Sequence, residues 1–191
     1  MSQGSTVGIV GSGPAAEAVE VALADASAST ASIDADAAET VDLAVVVGPC
    51  GAPAFGRVDE AVTAPWIAVE LGGIGGRPVA SMDAAVSVLD PSGACFDCLQ
   101  ARVRSNAEGG DVAEARTTRS DARLAGAMAG HLAVSLLSGK AVVGRVVELP
   151  HVERRLLPVP GCRCGAGATP SRALDRAFEA VPVETAADRM E

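Results

Sequence analysis

Thr6-Val-Gly-Ile-Val10-Gly-Ser-Gly-Pro14 is the stretch on which the fold turns. Its first five residues are mostly apolar and β-branched, which suits a short buried strand. Gly11 and Gly13 then permit a tight turn. Pro14 suits the first position of a helix, because its φ is already helical and its missing N–H would have no partner there. The alanine-rich run over 15–26, with Val19 and Leu23 one turn apart, continues as a helix packed on a sheet. Strand, glycine turn and helix in this order form the phosphate-cradling half of a nucleotide or dinucleotide fold.

Counted from Gly11, the turn reads Gly-x-Gly-x-x-Ala, with Ala16 in third place. Asp34 and Asp36 follow about twenty residues on, where a ribose-binding carboxylate is expected. Gly11, Gly13 and Asp34 are therefore the candidate nucleotide-binding residues. A second reading of the same glycines needs no ligand, since they also serve a tight turn and close helix packing. No Gly-Lys-Ser arrangement of the P-loop type follows.

Beyond this opening, the pattern predicts strands over 28–33, 43–47 and 66–71, with room for a short helix over 55–62. One or two antiparallel strands fall within 77–89, the stronger over 84–89. Asp90-Pro-Ser-Gly93 is a turn that leads to a helix over 99–106, and 106–111 reads as a loop. A long helix over 119–137 offers Leu124, Met128, His131, Leu132 and Leu136 as its buried face. Its small residues, Gly126, Ala127, Ala129, Gly130 and Ala133, suit close packing, for which an oligomer interface is one use. A strand over 142–149 and an alternating edge segment over 151–158 follow, and 171–180 has helical spacing. The fold class is α/β with a mixed sheet.

The chain has 191 residues, of which 49% are hydrophobic, enough for one principal core. No apolar run is long enough to cross a membrane and the first residues do not form a secretory signal, so a cytoplasmic protein is expected. Net charge is −9, with Lys140 as the sole lysine, so non-specific binding to nucleic acid is disfavoured. This acidic, lysine-poor composition resembles that of proteins from salt-loving archaea.

Five cysteines are too few for a disulfide scaffold. Four of them form two tight pairs, Cys95-Phe-Asp-Cys98 and Cys162-Arg-Cys164. The two-residue spacer of the first pair lets both sulfurs face one ion, and the Pro160-Gly161 turn makes the one-residue spacer of the second feasible. A structural zinc site with Cys95, Cys98, Cys162 and Cys164 as ligands is expected. Unpaired buried thiols and a redox Cys-x-x-Cys are the alternatives. Four protein sulfurs would leave no open position for water, so such a zinc would organise structure and would not catalyse. Cys50 follows a strand without a histidine or basic neighbour and reads as a small buried residue. His131 and His151 lack convincing acid-base partners.

Three stretches carry a resemblance: Pro65-Trp-Ile-Ala-Val-Glu-Leu71, Pro91-Ser-Gly-Ala-Cys95-Phe-Asp-Cys98-Leu-Gln-Ala-Arg102, and Leu156-Leu-Pro-Val-Pro-Gly-Cys162. Together they resemble the E1-like domain, of the ubiquitin-activating and ThiF/MoeB superfamily, found in azole-forming peptide-modification systems. There it accompanies, or is fused ahead of, a YcaO ATPase domain. The resemblance implies a Rossmann-like E1/ThiF-type domain over 1–167 with a zinc-stapled C-terminal part. Residues 168–191 then read as a helical tail or linker toward a YcaO domain.

In adenylating relatives, the glycine loop and the acidic residue after the second strand hold ATP, while lysine and arginine support phosphoryl chemistry. Here Gly11, Gly13 and Asp34 or Asp36 match only the first part, so ATP binding is in doubt. The implied function is a non-catalytic scaffold or docking component of a YcaO-type cyclodehydratase that forms azolines on ribosomal peptides. Its implied partners are a second copy of itself, a YcaO protein or domain, and a precursor peptide. Members that bind leader peptides carry a winged-helix domain ahead of this region, whereas here the first strand begins at Thr6, so docking or dimerisation is expected ahead of leader binding. The alternatives are an active adenylyltransferase for a small sulfur-carrier protein, drawing on Arg57, Arg77 or Arg104, and a nicotinamide- or flavin-dependent oxidoreductase. The chain has no tyrosine for a Tyr-Lys catalytic set.

Overall fold

The computed structural model describes residues 5–106, 117–140, 142–150 and 152–165. Within them, β1 (Thr6–Val10), α1 (Pro14–Asp25), β2 (Ser29–Ser32), β3 (Leu43–Pro49), α2 (Pro53–Ala61) and β4 (Trp66–Leu71) form the first half. A 3₁₀ segment, Ala35–Thr40, lies between β2 and β3. The second half comprises β5 (Gly73–Ile74), β6 (Arg77–Pro78), β7 (Ala84–Leu89), α3 (Phe96–Asn106), α4 (Arg119–Leu137), β8 (Arg145–Leu149) and β9 (Val152–Arg155). The expected helix over 171–180, the tail over 168–191, His151 and most of the 106–111 loop lie outside the described residues.

Seven strands make one mixed sheet in the order β2-β1-β3-β4-β7-β8-β9, with β5 and β6 as a separate small hairpin. β2, β1, β3 and β4 run parallel; β7, β8 and β9 are each antiparallel to their predecessor. Strand order reverses between β1 and β3, so their carboxyl ends open a crevice of the kind that α/β proteins use for ligands.

The central strands are buried on both faces, and their side chains alternate between two cores. Val7, Ile9, Val45, Ile67, Val69 and Val86 face α1 and α4. Val46, Trp66, Ala68, Ala85 and Val146 face the 3₁₀ segment, α2 and α3. Trp66, Phe55 and Phe96 cluster on this second face, with Phe96 stacked on Phe55 at 5.6 Å between ring centroids.

Gly11 sits at φ +110°, and a Cβ there would lie 2.1 Å from the Val47 carbonyl oxygen. This turn therefore needs glycine for conformation and for the close approach of β3, whether or not a ligand binds.

The long helix spans the expected residues, and of its expected buried face Leu132 is buried and Met128 and Leu136 are half-buried against the same core, whereas Leu124 and His131 are not. Leu124 is 48% exposed and His131 is also on the surface. The buried residues are Ala122, Ala125, Gly126, Ala129, Gly130, Leu132, Ala133 and Ser135. The reason is the near approach of α1. A Cβ on Gly126 would lie 2.1 Å from the Ala15 carbonyl oxygen, and one on Gly130 would lie 2.5 Å from Ala22 Cβ. Gly126 and Gly130 thus serve a contact within the chain, and Leu124 and His131 are left on the outer face.

No helix among the described residues is long and apolar enough to cross a membrane. Gly126→Ala should destabilise the protein by about 2 kcal/mol or more in urea denaturation, because the added methyl meets backbone that cannot swing aside. Gly56→Ala in α2, where nothing lies within 4 Å of the new Cβ, should be neutral or stabilise by up to about 1 kcal/mol.

Candidate metal centre

Two turns deliver the four cysteines to one place. Asp90 accepts the Ser92 N–H on its side chain at 2.8 Å and the Gly93 N–H on its carbonyl at 3.0 Å, which reverses the chain after β7. The Cys95 carbonyl then accepts the Leu99 N–H at 3.2 Å, so Cys95 stands at the mouth of α3 and Cys98 in its first turn. The second pair follows β9. Cys162 N–H donates to the Val159 carbonyl at 3.0 Å across a turn in which Gly161 has φ +81°. A short 3₁₀ turn, Arg163–Gly165, follows with Cys164 inside it.

The four Sγ atoms lie within 4.8 Å of one another. Cys95 is 3.9 Å from Cys98 and 3.5 Å from Cys162, and Cys98 is 3.3 Å from Cys164. A tetrahedron built on thiolate bonds to zinc of about 2.3 Å has edges of roughly 3.8 Å, so these spacings suit a single ion. They are much too long for disulfides, whose sulfurs sit about 2 Å apart. The shortest approaches run between the two pairs, so Cys95 and Cys98 do not form an isolated redox couple.

Burial shapes the protonation of this cluster. It pushes the Cys95 thiol well up, and raises Cys98 to about 11 against the pull of the Val159 N–H, which donates to Cys98 Sγ at 3.2 Å. Burial also opposes ionisation of Cys162, but hydrogen bonds from the Cys164 N–H and the neighbouring thiols outweigh it and move Cys162 down. Packed sulfurs that resist shedding their protons together are what a divalent cation would resolve, because it takes the protons' place. The donor set fits a structural metal such as zinc.

A polar knot holds the cluster to the core. Asp59 of α2, only 4% exposed, accepts from Trp66 Nε1 and from the Phe96 N–H, each at 3.1 Å, on Oδ1. Its Oδ2 takes Arg163 at 2.7 Å, and the same guanidinium reaches Asp97 at 3.0 Å. Burial raises the Asp59 carboxyl, and the Phe96, Trp66 and Arg163 donors pull it back. Asp59, Asp97 and Cys95 also lie close enough together to hold a cation, but the Arg163 guanidinium already bridges both carboxylates. The one-residue spacer of Cys162-Arg-Cys164 therefore has a use: it aims Arg163 at α2 and α3 while its neighbours turn toward the cluster. Sequence reasoning missed this knot. Its only trace was an aspartate beside Val58 on the apolar side of α2.

Arg102, the arginine of the Pro-x-x-x-Cys-x-x-Cys-x-x-x-Arg pattern, donates to the Leu157 and Pro158 carbonyls at 2.9 and 3.3 Å. It ties α3 to the irregular segment beyond β9 that carries the second cysteine pair.

The candidate nucleotide residues are brought to one edge of the sheet, at the carboxyl ends of β1 and β2. Gly13 caps α1 with φ +92°, and its carbonyl accepts the Glu17 N–H at 3.0 Å. Asp34 opens the 3₁₀ segment without capping it through its side chain. The three hollows described on the surface lie away from Gly11, Gly13 and Asp34. Of the arginines weighed for phosphate contact, Arg57 lies 3.8 Å from Asp36, both well exposed; Arg77 lines a groove elsewhere; and Arg104 is exposed near the end of α3. Lys140 is exposed just beyond α4.

Cys50 is half-buried, and its thiol approaches Glu70 Oε1 at 3.6 Å. Burial and the adjacent carboxylate push Cys50 up to about 12, which leaves it protonated at neutral pH. Glu70 is fully buried and accepts the Gly75 and Gly76 N–H groups at 2.6 and 2.7 Å, holding the β5–β6 hairpin against the sheet. Burial raises its carboxyl, and those N–H groups oppose the rise.

Three outcomes follow from this geometry. The purified chain should carry one zinc, read by native mass spectrometry, and Cys98→Ser should lose it. Asp59→Ala should cost about 2–4 kcal/mol in chemical denaturation, because it strands the Trp66 and Phe96 donors in the core. In the zinc-loaded protein, Cys50 should alkylate roughly 50-fold more slowly than an exposed cysteine at pH 7.5, since its smaller thiolate fraction outweighs its greater intrinsic nucleophilicity.

No protein-family model and no curated protein sequence matches the chain. Among solved structures, a heterocyclase in complex with substrate and cofactor is similar in fold, with a TM-score of 0.50 and 17% sequence identity. The similarity covers 80% of this chain and 24% of that one, so the chain spans about a quarter of the heterocyclase's length. This chain shares with that heterocyclase a mixed α/β fold.

Proposed function

We propose that the chain is an E1-like domain of the ThiF/MoeB type, acting as a zinc-stabilised docking scaffold for a YcaO-type cyclodehydratase that forms azolines on ribosomal peptides. The observation that carries this reading is the four-cysteine cluster of Cys95, Cys98, Cys162 and Cys164, joining α3 to the segment beyond β9 on a sheet of order 2-1-3-4-7-8-9. The fold likeness to a heterocyclase adds to it. In this reading residues 1–167 form the E1-like unit, 168–191 lead toward a catalytic domain, and the scaffold works as a dimer beside its YcaO partner and a precursor peptide. When bound, zinc would draw the four thiolates together and neutralise part of their charge. Asp59, Arg163 and Arg102 would hold the two cysteine-bearing segments in place.

Non-catalytic action is supported by the chain's own side chains. Cys50, the thiol nearest the carboxyl ends of the strands, is held protonated beside Glu70. Lys140 stands beyond α4, and Arg57 lies toward Asp36. The arrangement that favours the second reading, an adenylyltransferase, is the presence of Gly11, Gly13 and Asp34 at neighbouring strand ends. ATP would then lie along that edge.

The test is reconstitution with a YcaO-type ATPase from the same organism and a peptide rich in Cys, Ser and Thr. Addition of the zinc-loaded chain should raise azoline formation, read as the loss of water from the peptide, by tenfold or more. The chain alone should catalyse no ATP–pyrophosphate exchange. Exchange with a sulfur-carrier protein, together with no effect on the YcaO enzyme, would transfer the assignment to adenylation.

A further inference from the structure

A groove of about 760 Å³ lies on the α3 face of the antiparallel half, bounded by the β5–β6 hairpin, α3, and the β8–β9 pair. Its apolar lining includes Ile74, Leu99, Val146 and Leu156, all less than a tenth exposed, with Val79 and Val103 beside them. Around this lining stand Arg77, Arg102, Arg154 and Arg155, against a single acid among the described residues, Glu148. Glu148 is engaged by Arg154 at 2.5 Å, and Arg102 is anchored through the carbonyls of Leu157 and Pro158, which leave its charge uncompensated. Four of the chain's fifteen basic residues thus converge on one hollow of a protein whose net charge is −9.

We infer that this groove is a docking site for an extended acidic peptide segment with interspersed aliphatic residues. Charge complementarity selects the occupant. An anionic peptide is repelled by the rest of the surface and attracted here, which favours both encounter and register. The floor selects against a small polyanion, because it presents branched aliphatic side chains, which bind alternate apolar residues of a peptide and have nothing to offer phosphate oxygens. The third element is β9, which ends the sheet with Val152, Glu153, Arg154 and Arg155 all exposed. An edge strand offers main-chain N–H and C=O groups to a partner chain laid alongside it. Arg154 and Arg155 lie on that strand and line the groove, so backbone pairing and arginine–carboxylate contacts would be made together. The inference needs only the groove and its charge, and stands or falls apart from the azole-forming reading.

The test uses the full zinc-loaded chain and a fluorescein-labelled decapeptide of alternating glutamate and valine, with binding read by fluorescence anisotropy. The peptide should bind saturably, weaken about fivefold or more when salt is raised from 50 to 300 mM, and weaken tenfold or more in the double variant Arg77→Glu, Arg155→Glu. Both arginines are at least partly exposed, so the variant should keep its zinc and its melting temperature. As a second variant, Val103→Ser should also weaken binding, by spoiling the apolar wall without changing the charge of the groove. Equal binding of a lysine–valine decapeptide, or an unchanged affinity in the double variant, would overturn the proposal. So would displacement of the peptide by equimolar pyrophosphate, which would mark a small-anion site, or binding that emerges only after residues 166–191 are removed, which would assign the groove to the chain's own tail.

Discussion

The joining of two cysteine pairs is the constraint on which the second half of the protein rests. The segment after β9 buries little of its apolar material: Leu156 is buried, whereas Leu157 is 39% exposed and Val159 and Cys162 are only partly covered. Hydrophobic burial alone gives such a segment small reason to stay folded. What holds it is polar and sulfur chemistry: the four Sγ atoms of the cluster, the Arg163–Asp59 ion pair, and the Arg102 guanidinium on two backbone carbonyls. Because these contacts reach α2 and α3 together, they fix the helices as well as the loop.

The same joining shapes the surface. Once Leu156 to Cys162 is drawn back across α3, the β8–β9 pair and the β5–β6 hairpin leave a groove between them. Four arginines from three separate elements, β6, α3 and β9, come to border it. Glu70 supports the opposite wall by receiving the N–H groups of Gly75 and Gly76, so a buried carboxylate sets the position of a hairpin too short to hold itself. Cysteine cluster, buried carboxylate and surface groove are in this sense one arrangement.

The parallel half works by different physics. There the sheet is clamped between two apolar layers, and one of the tightest points is the approach between α1 and α4 at Gly126 and Gly130. Close packing of this kind depends on the absence of side chains, which is why Leu124 and His131 lie outside. The glycine turn at Gly11 obeys the same rule, since Val47 occupies the space that a side chain would need. A packing role is thus sufficient reason for a glycine there, and the motif alone does not imply a ligand.

Local pattern carried much of the architecture. Runs of β-branched residues marked β1, β3, β4 and β7, the span 119–137 marked α4, and the spacing of Cys95, Cys98, Cys162 and Cys164 marked the cluster, because each signal is written in neighbouring residues. The inner face of α4 was legible in part: Leu132 and the close-packing residues Gly126, Ala129, Gly130 and Ala133 were marked and are buried, but Leu124 and His131 were assigned to that face and lie outside it. Periodicity weights large apolar residues, whereas that face was selected by backbone contact with α1. The Asp59–Arg163 pair and the arginine groove were hidden, since their members are scattered along the chain and acquire meaning only when the sheet brings them within a few ångströms. Residue chemistry and short-range spacing are local properties that a sequence can state. Burial, ion pairing and the convergence of like charges arise between distant segments, and exist only once the chain has folded.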